Sequence, residues 1–515
     1  MRARHLALSA LLATGACSPA APPSAPFDEK DLAELTADLA GGTSAVDIAK
    51  VYLARIEALN PQLKAVISVN PAAMAEAAEA DKRKAGDGAG PLNGLPILIK
   101  DNIDVRGQVT TAGSLALAEN RSERDAPLVE RLRASGAVFL GKANLSEWAN
   151  IRSRWSSSGW SAVGGIARNP YDPARSACGS SSGSGSAVAA GLAPAAIGTE
   201  TDGSITCPAA ANGIVGLKPT IGLVSRTGVV PISHIQDTAG PMTLTVTDAA
   251  AILTVIAGSD PADPATKEAD ARKADYVKAL DPQALKGAKL GVMRFLTGNY
   301  SPKTLVVFDA ALEVLKAQGA EIVEVKEFEF GPISEKELPL MLAELKAGLN
   351  AYLATTPASV KTRTLADVIA FNRSEPRETP YFGQDFFEQA EGMADLTDAQ
   401  YIKGREEVTT RARAEGIDKM LADHGVTALI APTYGPAWLI DTIVGDNFSG
   451  GASSTLPAVA GYPHLTVPMG YVEGMPVGLS FIGTAWSEAH LLSLGLAFEK
   501  AAPPRKPPAI HGQAQ

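Results

Sequence analysis

The chain is predicted to be an α/β protein built on a β-sheet that helices cover on both faces. Three observations predict this. Leu95–Ile99 is a short, wholly apolar run bounded by Gly94 and by the polar Lys100, Asp101 and Asn102, the pattern of a buried strand. A helical pattern around residues 126–134 precedes a second such run, "AVFLGKAN", and alternation of this kind marks a sheet buried on both sides. Strand character then returns in "LPAVAGYPHLTVPMG" and "MPVGLSFIG" after a charged, helix-rich stretch of about 303–425, so the C-terminal part is expected to rejoin the first sheet.

Composition narrows the function classes. Of 515 residues, 46% are hydrophobic, 20% charged and 5% aromatic, which describes a soluble, Ala- and Gly-rich globular enzyme. The length admits one very large domain or several ordinary ones. A formal charge of −10 argues against nucleic acid, which needs a basic surface to displace counterions. A peptide or small-molecule substrate is expected instead.

Taken in chain order, residues 1–16 read as a signal peptide: Arg2 and Arg4 precede an apolar stretch, Leu6–Ala16, too short to span a bilayer. Gly15 and Ala16 directly before Cys17 have the layout of a bacterial lipoprotein cleavage site, with Thr14 where the commonest pattern has Leu. Cys17 is therefore expected to carry lipid, cleavage among the following alanines being the alternative. Residues 17–27 read as a Pro- and Ala-rich tether. The protein is then expected to be exported, periplasmic and tethered to the membrane through Cys17.

The folded part is expected over 28–505, with 506–515 as a tail. Leu32, Leu35 and Leu39, then Val51, Ile56 and Leu59, recur at helical spacing, with Thr43 or Ser44 as an N-cap. Residues 179–186, "GSSSGSGS", read as a turn wedged between folded elements, serving close backbone contacts or offering hydroxyls to a site. Within the helix-rich stretch, Tyr381, Phe382, Phe386 and Phe387 cluster; Tyr381 and Phe382 are the candidates for a substrate wall, with half of the cluster expected in the core. Besides Cys17 the chain has Cys178 and Cys207, expected as two small buried apolar residues. Their pairing is the alternative that an oxidising compartment permits.

Several motifs fail on inspection. "GAVFLGK" fits a phosphate-binding loop as far as Lys142, then has Ala143 where a hydroxyl would hold magnesium. The glycines at 183 and 185 follow no strand, so they make no dinucleotide fingerprint. The chain has six histidines; His234 has Asp237 near by, and a structural or loop position is expected for it rather than a general base. No His or Cys spacing points to a metal, and no cofactor is expected. What remains is lysine. A buried Lys at the end of a strand can be neutral and act as a base, and Lys with Ser is an established alternative to His with Ser. The stretch "GTETDGSITCPA" fits such chemistry, because Gly203 beside Ser204 lets successive backbone N–H groups converge on one spot.

At this point the residues resemble those of the amidase signature family. "LPILIKDNIDVRG", "CGSSSGSGSAVAAG" and "GTETDGSITCPAAANGIVGLKPT" occur in that family's order and spacing, with Lys100 80 residues before Ser180 and Ser180 24 before Ser204. The resemblance spans about residues 30–500 and implies one large domain with a central mixed sheet. It also implies that Ser204 is the nucleophile, Ser180 the bridging serine after a cis peptide bond, and Lys100 the base. The backbone N–H groups of Thr201, Asp202, Gly203 and Ser204 match the oxyanion hole, where one donor is worth about 3 kcal/mol in the transition state. Asp202 departs from the usual glycine and Thr206 from the usual arginine. That variant, with "SEWAN" and "SSGWSA", resembles the bacterial peptide amidases, which implies removal of C-terminal amides from peptides. A general amidase for acyl or aryl amides is the alternative, and a catalytically inactive, lipid-tethered binding protein is the alternative of another class.

Overall fold

The computed structural model describes residues 29–83, 89–448 and 450–510. The signal peptide, the tether and Cys17, and the tail beyond 510, lie outside the described residues.

Thirteen strands are described. In chain order they are β1 (Val66–Val69), β2 (Pro96–Lys100), β3 (Val138–Ala143), β4 (Trp160–Ser161), β5 (Gly165–Ile166), β6 (Ala195–Glu200), β7 (Val215–Lys218), β8 (Thr238–Thr243), β9 (Lys289–Met293), β10 (Glu321–Val325), β11 (Ala428–Pro432), β12 (His464–Val472) and β13 (Met475–Ile482). Strands β4 and β5 pair with each other; the other eleven form one sheet ordered β1-β3-β2-β6-β8-β7-β12-β13-β11-β9-β10. The sheet is mixed, as expected. β3, β2 and β6 run parallel at one end and β11, β9 and β10 at the other. Antiparallel pairs join them through β8, β7, β12 and β13. Every residue of β2, β3, β6, β7, β8, β11 and β13 is buried, so helices cover both faces and period-2 alternation is absent.

The helix signals in the first 85 residues correspond to Leu32–Ala40, closed by a capping box from Asp31 and Glu34, and Ala45–Leu63. Of the two cap candidates, Ser44 accepts the bond from the Asp47 N–H. The C-terminal strands β12 and β13 do rejoin the first sheet, between β7 and β11.

Two readings need correction, and the helix-rich stretch holds one strand. The Gly and Ser run is a turn only as far as Ser181: Ser182–Ala189 is helical. Its poor helix formers are overridden by packing, because a Cβ on Gly183 would lie 2.2 Å from the Ala65 carbonyl oxygen. The Ser182, Ser184 and Ser186 hydroxyls are spent on the carbonyls of Cys178, Ile197 and Arg168. "LPAVAGYPHLTVPMG" opens with a helix, Thr455–Ala460, which Gly461 ends at φ +68° before β12 begins. The helix-rich stretch contains edge strand β10, whose partial burial suits its place at the end of the sheet. Around that strand the stretch builds helices that include Pro332–Ala354, Leu365–Ser374, Asp385–Glu391 and Ala399–Ala412. Leu342, Leu349, Val368 and Phe387 there pack with Leu117, Trp148 and Val230 from the first half of the chain. That apolar cluster docks the helices against the loops that carry the site.

Candidate active site

The site forms where three neighbouring pieces of the sheet region end. β2 delivers Lys100 at its last position. Ser180 lies in the turn before Ser182–Ala189, after a cis bond between Gly179 and Ser180, as the resemblance implied. Ser204 follows β6 and precedes the helix Thr206–Ala211.

Lys100 is fully buried, and its Nζ meets three groups: Ser180 Oγ at 2.8 Å, Thr199 Oγ1 at 2.8 Å and the Thr199 carbonyl at 3.2 Å. Burial lowers its pKa from 10.5 to about 7, against the opposing pull of Asp237 and Glu200. A neutral amine suits this environment. Its two N–H groups donate to the two Thr199 oxygens, and its lone pair accepts from the Ser180 hydroxyl. Asn102 Nδ2 also donates to Thr199 Oγ1, at 3.0 Å. Lys142, the false phosphate-loop lysine, is spent elsewhere on an ion pair with Asp101 at 3.1 Å and on the Ile103 carbonyl.

The Ser204 segment is held against Ser180 by main-chain contact: the Ser181 N–H donates to the Ser204 carbonyl at 3.1 Å. Ser204 is 8% exposed while Ser180 is fully buried, so access from outside is to Ser204. No hydrogen bond joins the two serine hydroxyls among the described residues. The N–H groups of Thr201, Asp202, Gly203 and Ser204 donate to no acceptor among the described residues, and Gly203 takes φ +79°, a conformation suited to glycine. Donors left open in this way can receive an anionic oxygen.

Two carboxylates anchor this loop at its ends. Asp237 accepts from Thr201 Oγ1 at 2.6 Å and from the Ile232 and Ser233 N–H groups, and burial raises its pKa to about 6. Glu200 Oε2 accepts from the N–H groups of Ile205 and Thr206 and from the Thr206 hydroxyl, so the departure at position 206 supplies a bond to the start of the helix. Thr199, Asn102, Asp237 and Glu200 were not singled out from sequence. Asn102 and Thr199 sit two residues after Lys100 and five before Ser204, and proximity to the motifs was the signal available.

Cys178 and Cys207 are joined in a disulfide with Cα atoms 6.0 Å apart, which corrects the expectation of two unpaired residues. Folding sets the turn before Ser180 beside the helix after Ser204, a separation that 29 residues of sequence do not reveal.

Phe387 is fully buried against Trp148, and Phe382 is 8% exposed, while Tyr381 is 45% exposed. Tyr381 and Phe382 both meet the edge of Trp160, at 5.9 and 5.1 Å between ring centres. Phe382 also lies against the Arg152 guanidinium, which pairs with Glu147 at 3.0 Å. Trp160 follows Gly159, whose N–H donates to Ser146 Oγ, and the Ser146 N–H donates to the Ser180 carbonyl. Trp160 and its aromatic neighbours are thus linked to the Ser180 turn through Gly159 and Ser146. His234 is exposed on a loop, outside this cluster.

Comparison with known proteins agrees with the geometry. The family model described as Amidase matches residues 47–492. A probable amidase of Arabidopsis thaliana is 39% identical over 476 residues, covering 90% of this chain and 87% of the plant protein. A glutamyl-tRNA(Gln) amidotransferase component of Chloroflexus aggregans is 36% identical over 491 residues, covering 90% of this chain and 94% of the bacterial one. Among solved structures, the native peptide amidase of Stenotrophomonas maltophilia superposes with a TM-score of 0.90 at 49% identity, covering 94% of this chain and 99% of that one. A complex of the peptide amidase with the competitive inhibitor chymostatin also gives 0.90, at 50% identity and the same coverage. A match that runs from the second helix to the last, across the whole sheet and all three motifs, makes this chain a member of the amidase signature family.

Proposed function

We propose that this chain removes the C-terminal amide of peptides with release of ammonia, with Ser204 as nucleophile, Ser180 as proton relay and Lys100 as base. One observation carries the reading: a fully buried Lys100 amine, held near neutrality, meets the Ser180 hydroxyl at 2.8 Å. Neutral Lys100 takes the Ser180 proton as Ser180 takes that of Ser204, and Ser204 Oγ attacks the carboxamide carbon. The N–H groups of residues 201–204 receive the oxyanion. As the tetrahedral intermediate collapses, the proton returns through Ser180 to the amide nitrogen and ammonia leaves. Water then cleaves the acyl-enzyme ester by the same relay. The peptide substrate is supported by the similarity to peptide amidases, one of them solved with a competitive inhibitor.

The test is hydrolysis of three compounds: a peptide amide and a long-chain acyl amide, read as ammonia release, and the same peptide with internal amide bonds only, read as new amino termini. Wild type is expected to act on the first, and Ser204→Ala to lose at least about 10³-fold in kcat. Equal rates from both proteins would remove Ser204 as nucleophile. A tenfold preference for the acyl amide, about 1.4 kcal/mol, would favour a general amidase.

From the apolar leader before Cys17 we further propose that the enzyme works outside the cytoplasm, with residues 28–505 as its domain and Cys17 as its anchor. Cys17→Ser is expected to move the protein from the membrane fraction to the soluble one. Wild type already soluble in the periplasm would exclude the anchor and leave export standing.

A further inference from the structure

Asp202 stands where the family's usual pattern has glycine, and the proton relay makes no use of its carboxylate. The structure shows where that carboxylate goes. Asp202 Oδ2 accepts a hydrogen bond at 2.8 Å from Thr455 Oγ1, at the first position of the helix Thr455–Ala460. The preceding residue, Ser454, shares a 2.7 Å hydrogen bond with the Tyr434 hydroxyl. Both hydroxyls lie directly against Gly203: a Cβ placed there would be 2.0 Å from the Tyr434 oxygen and 3.0 Å from Ser454 Oγ. The Tyr434 ring packs against the cluster that holds the Cys178–Cys207 disulfide.

The loop from Thr201 to Ser204 is therefore held at three places. Asp237 fixes its start through Thr201, and Glu200 fixes its exit through the N–H groups of Ile205 and Thr206. Its middle, the Asp202–Gly203 peptide, is braced from a segment more than 200 residues away in sequence. Glycine at 203 is what lets the chain take φ +79° under the Tyr434 hydroxyl, and the same freedom would leave the peptide loose without a brace.

We propose that Tyr434, Ser454 and Thr455 are positioning residues of the oxyanion site, acting through the Asp202 carboxylate and the α-carbon of Gly203. Backbone donors stabilise a developing oxyanion only if they are already aimed at it, and looseness of about 1 Å at such a site costs up to about 10²-fold. The ground-state carbonyl depends on them less. The brace therefore acts on kcat and leaves KM nearly unchanged. The proposal rests on the assignment of Ser204 as nucleophile and of the 201–204 amides as its oxyanion hole.

The test compares Thr455→Val, Thr455→Ser and Tyr434→Phe with wild type and with Ser204→Ala, on a peptide amide substrate. Thr455→Val and Tyr434→Phe are each expected to lower kcat about tenfold with KM within about twofold. Thr455→Ser keeps the hydroxyl and is expected to return to within about threefold of wild type. A peptide aldehyde provides a second readout. Ser204 Oγ adds to its carbonyl carbon, the C=O π pair becomes the oxyanion, and the serine proton passes through Ser180 to Lys100. Thr455→Val should weaken this inhibitor about tenfold and leave binding of the matching peptide alcohol, which has no carbonyl to place there, unchanged. The proposal is overturned by wild-type kcat in both Thr455→Val and Tyr434→Phe, by Thr455→Ser as slow as Thr455→Val, or by a change in KM alone. A loss of kcat that tracks an equal loss of thermal stability would overturn it as well. An inactive Ser204→Ala beside an unaffected Thr455→Val and Tyr434→Phe refutes the brace alone, whereas an active Ser204→Ala refutes the nucleophile and the brace with it.

Discussion

Thr199→Val tests the electrostatics of the base without touching the relay itself. Thr199 Oγ1 accepts from Lys100 Nζ at 2.8 Å, and Lys100 titrates near 7. A hydrogen bond to a charged group contributes about 1.5–3 kcal/mol and a neutral one about 0.5–1.5. Removing the hydroxyl therefore costs the protonated amine about 1–1.5 kcal/mol more than the neutral one, which lowers the pKa by about one unit. The rate rises with pH as Lys100 loses its proton, so the acid limb of kcat/KM should move from about 7 to about 6. A weaker base should also lower the plateau a few-fold. Thr199→Ser, which keeps the hydroxyl, should keep the limb near 7. The assay is kcat/KM for ammonia release across the neutral range in buffers of constant ionic strength. A limb that stays in place or moves upward in Thr199→Val would refute the assignment of that limb to Lys100.

Other perturbations follow from the same geometry. Lys100 has a folded pKa of about 7 against an ordinary 10.5, so the unfolded chain holds a proton that the folded chain releases between those values. Stability should rise with pH across that window, and below about 7 the full penalty of up to about 5 kcal/mol applies. Lys100→Met should thus abolish activity and melt higher than wild type near pH 6, with the gap closing towards pH 10; a lower melting temperature near pH 6 would contradict this. The Cys178–Cys207 disulfide closes a loop of 29 residues, for which chain entropy gives about 3–4 kcal/mol. The double variant Cys178→Ser, Cys207→Ser should lose about that much in chemical denaturation, and an unchanged midpoint would show that the bond adds nothing.

The sequence by itself determined the candidate site residues and the elements that carry them. Leu95–Ile99 is short, apolar and bounded, so it could be recognised as a buried strand with Lys100 at its end, and β2 is that strand. Lys100, Ser180 and Ser204 were legible because their motifs are local in the chain. Tertiary structure decided what those residues become. The Lys100 pKa near 7 is a property of complete burial, opposed by the charges of Asp237 and Glu200, which no linear spacing encodes. The Gly and Ser run had the composition of a turn, and packing against Ala65 and β6 made most of it helix. Cys178 and Cys207 became a disulfide because two motif segments were folded side by side. Asp202 was visible as a departure from pattern, yet its partner Thr455 lies 253 residues further on. Sequence records which groups are available, whereas desolvation, pairing and aim depend on which segments share a neighbourhood once the sheet has formed.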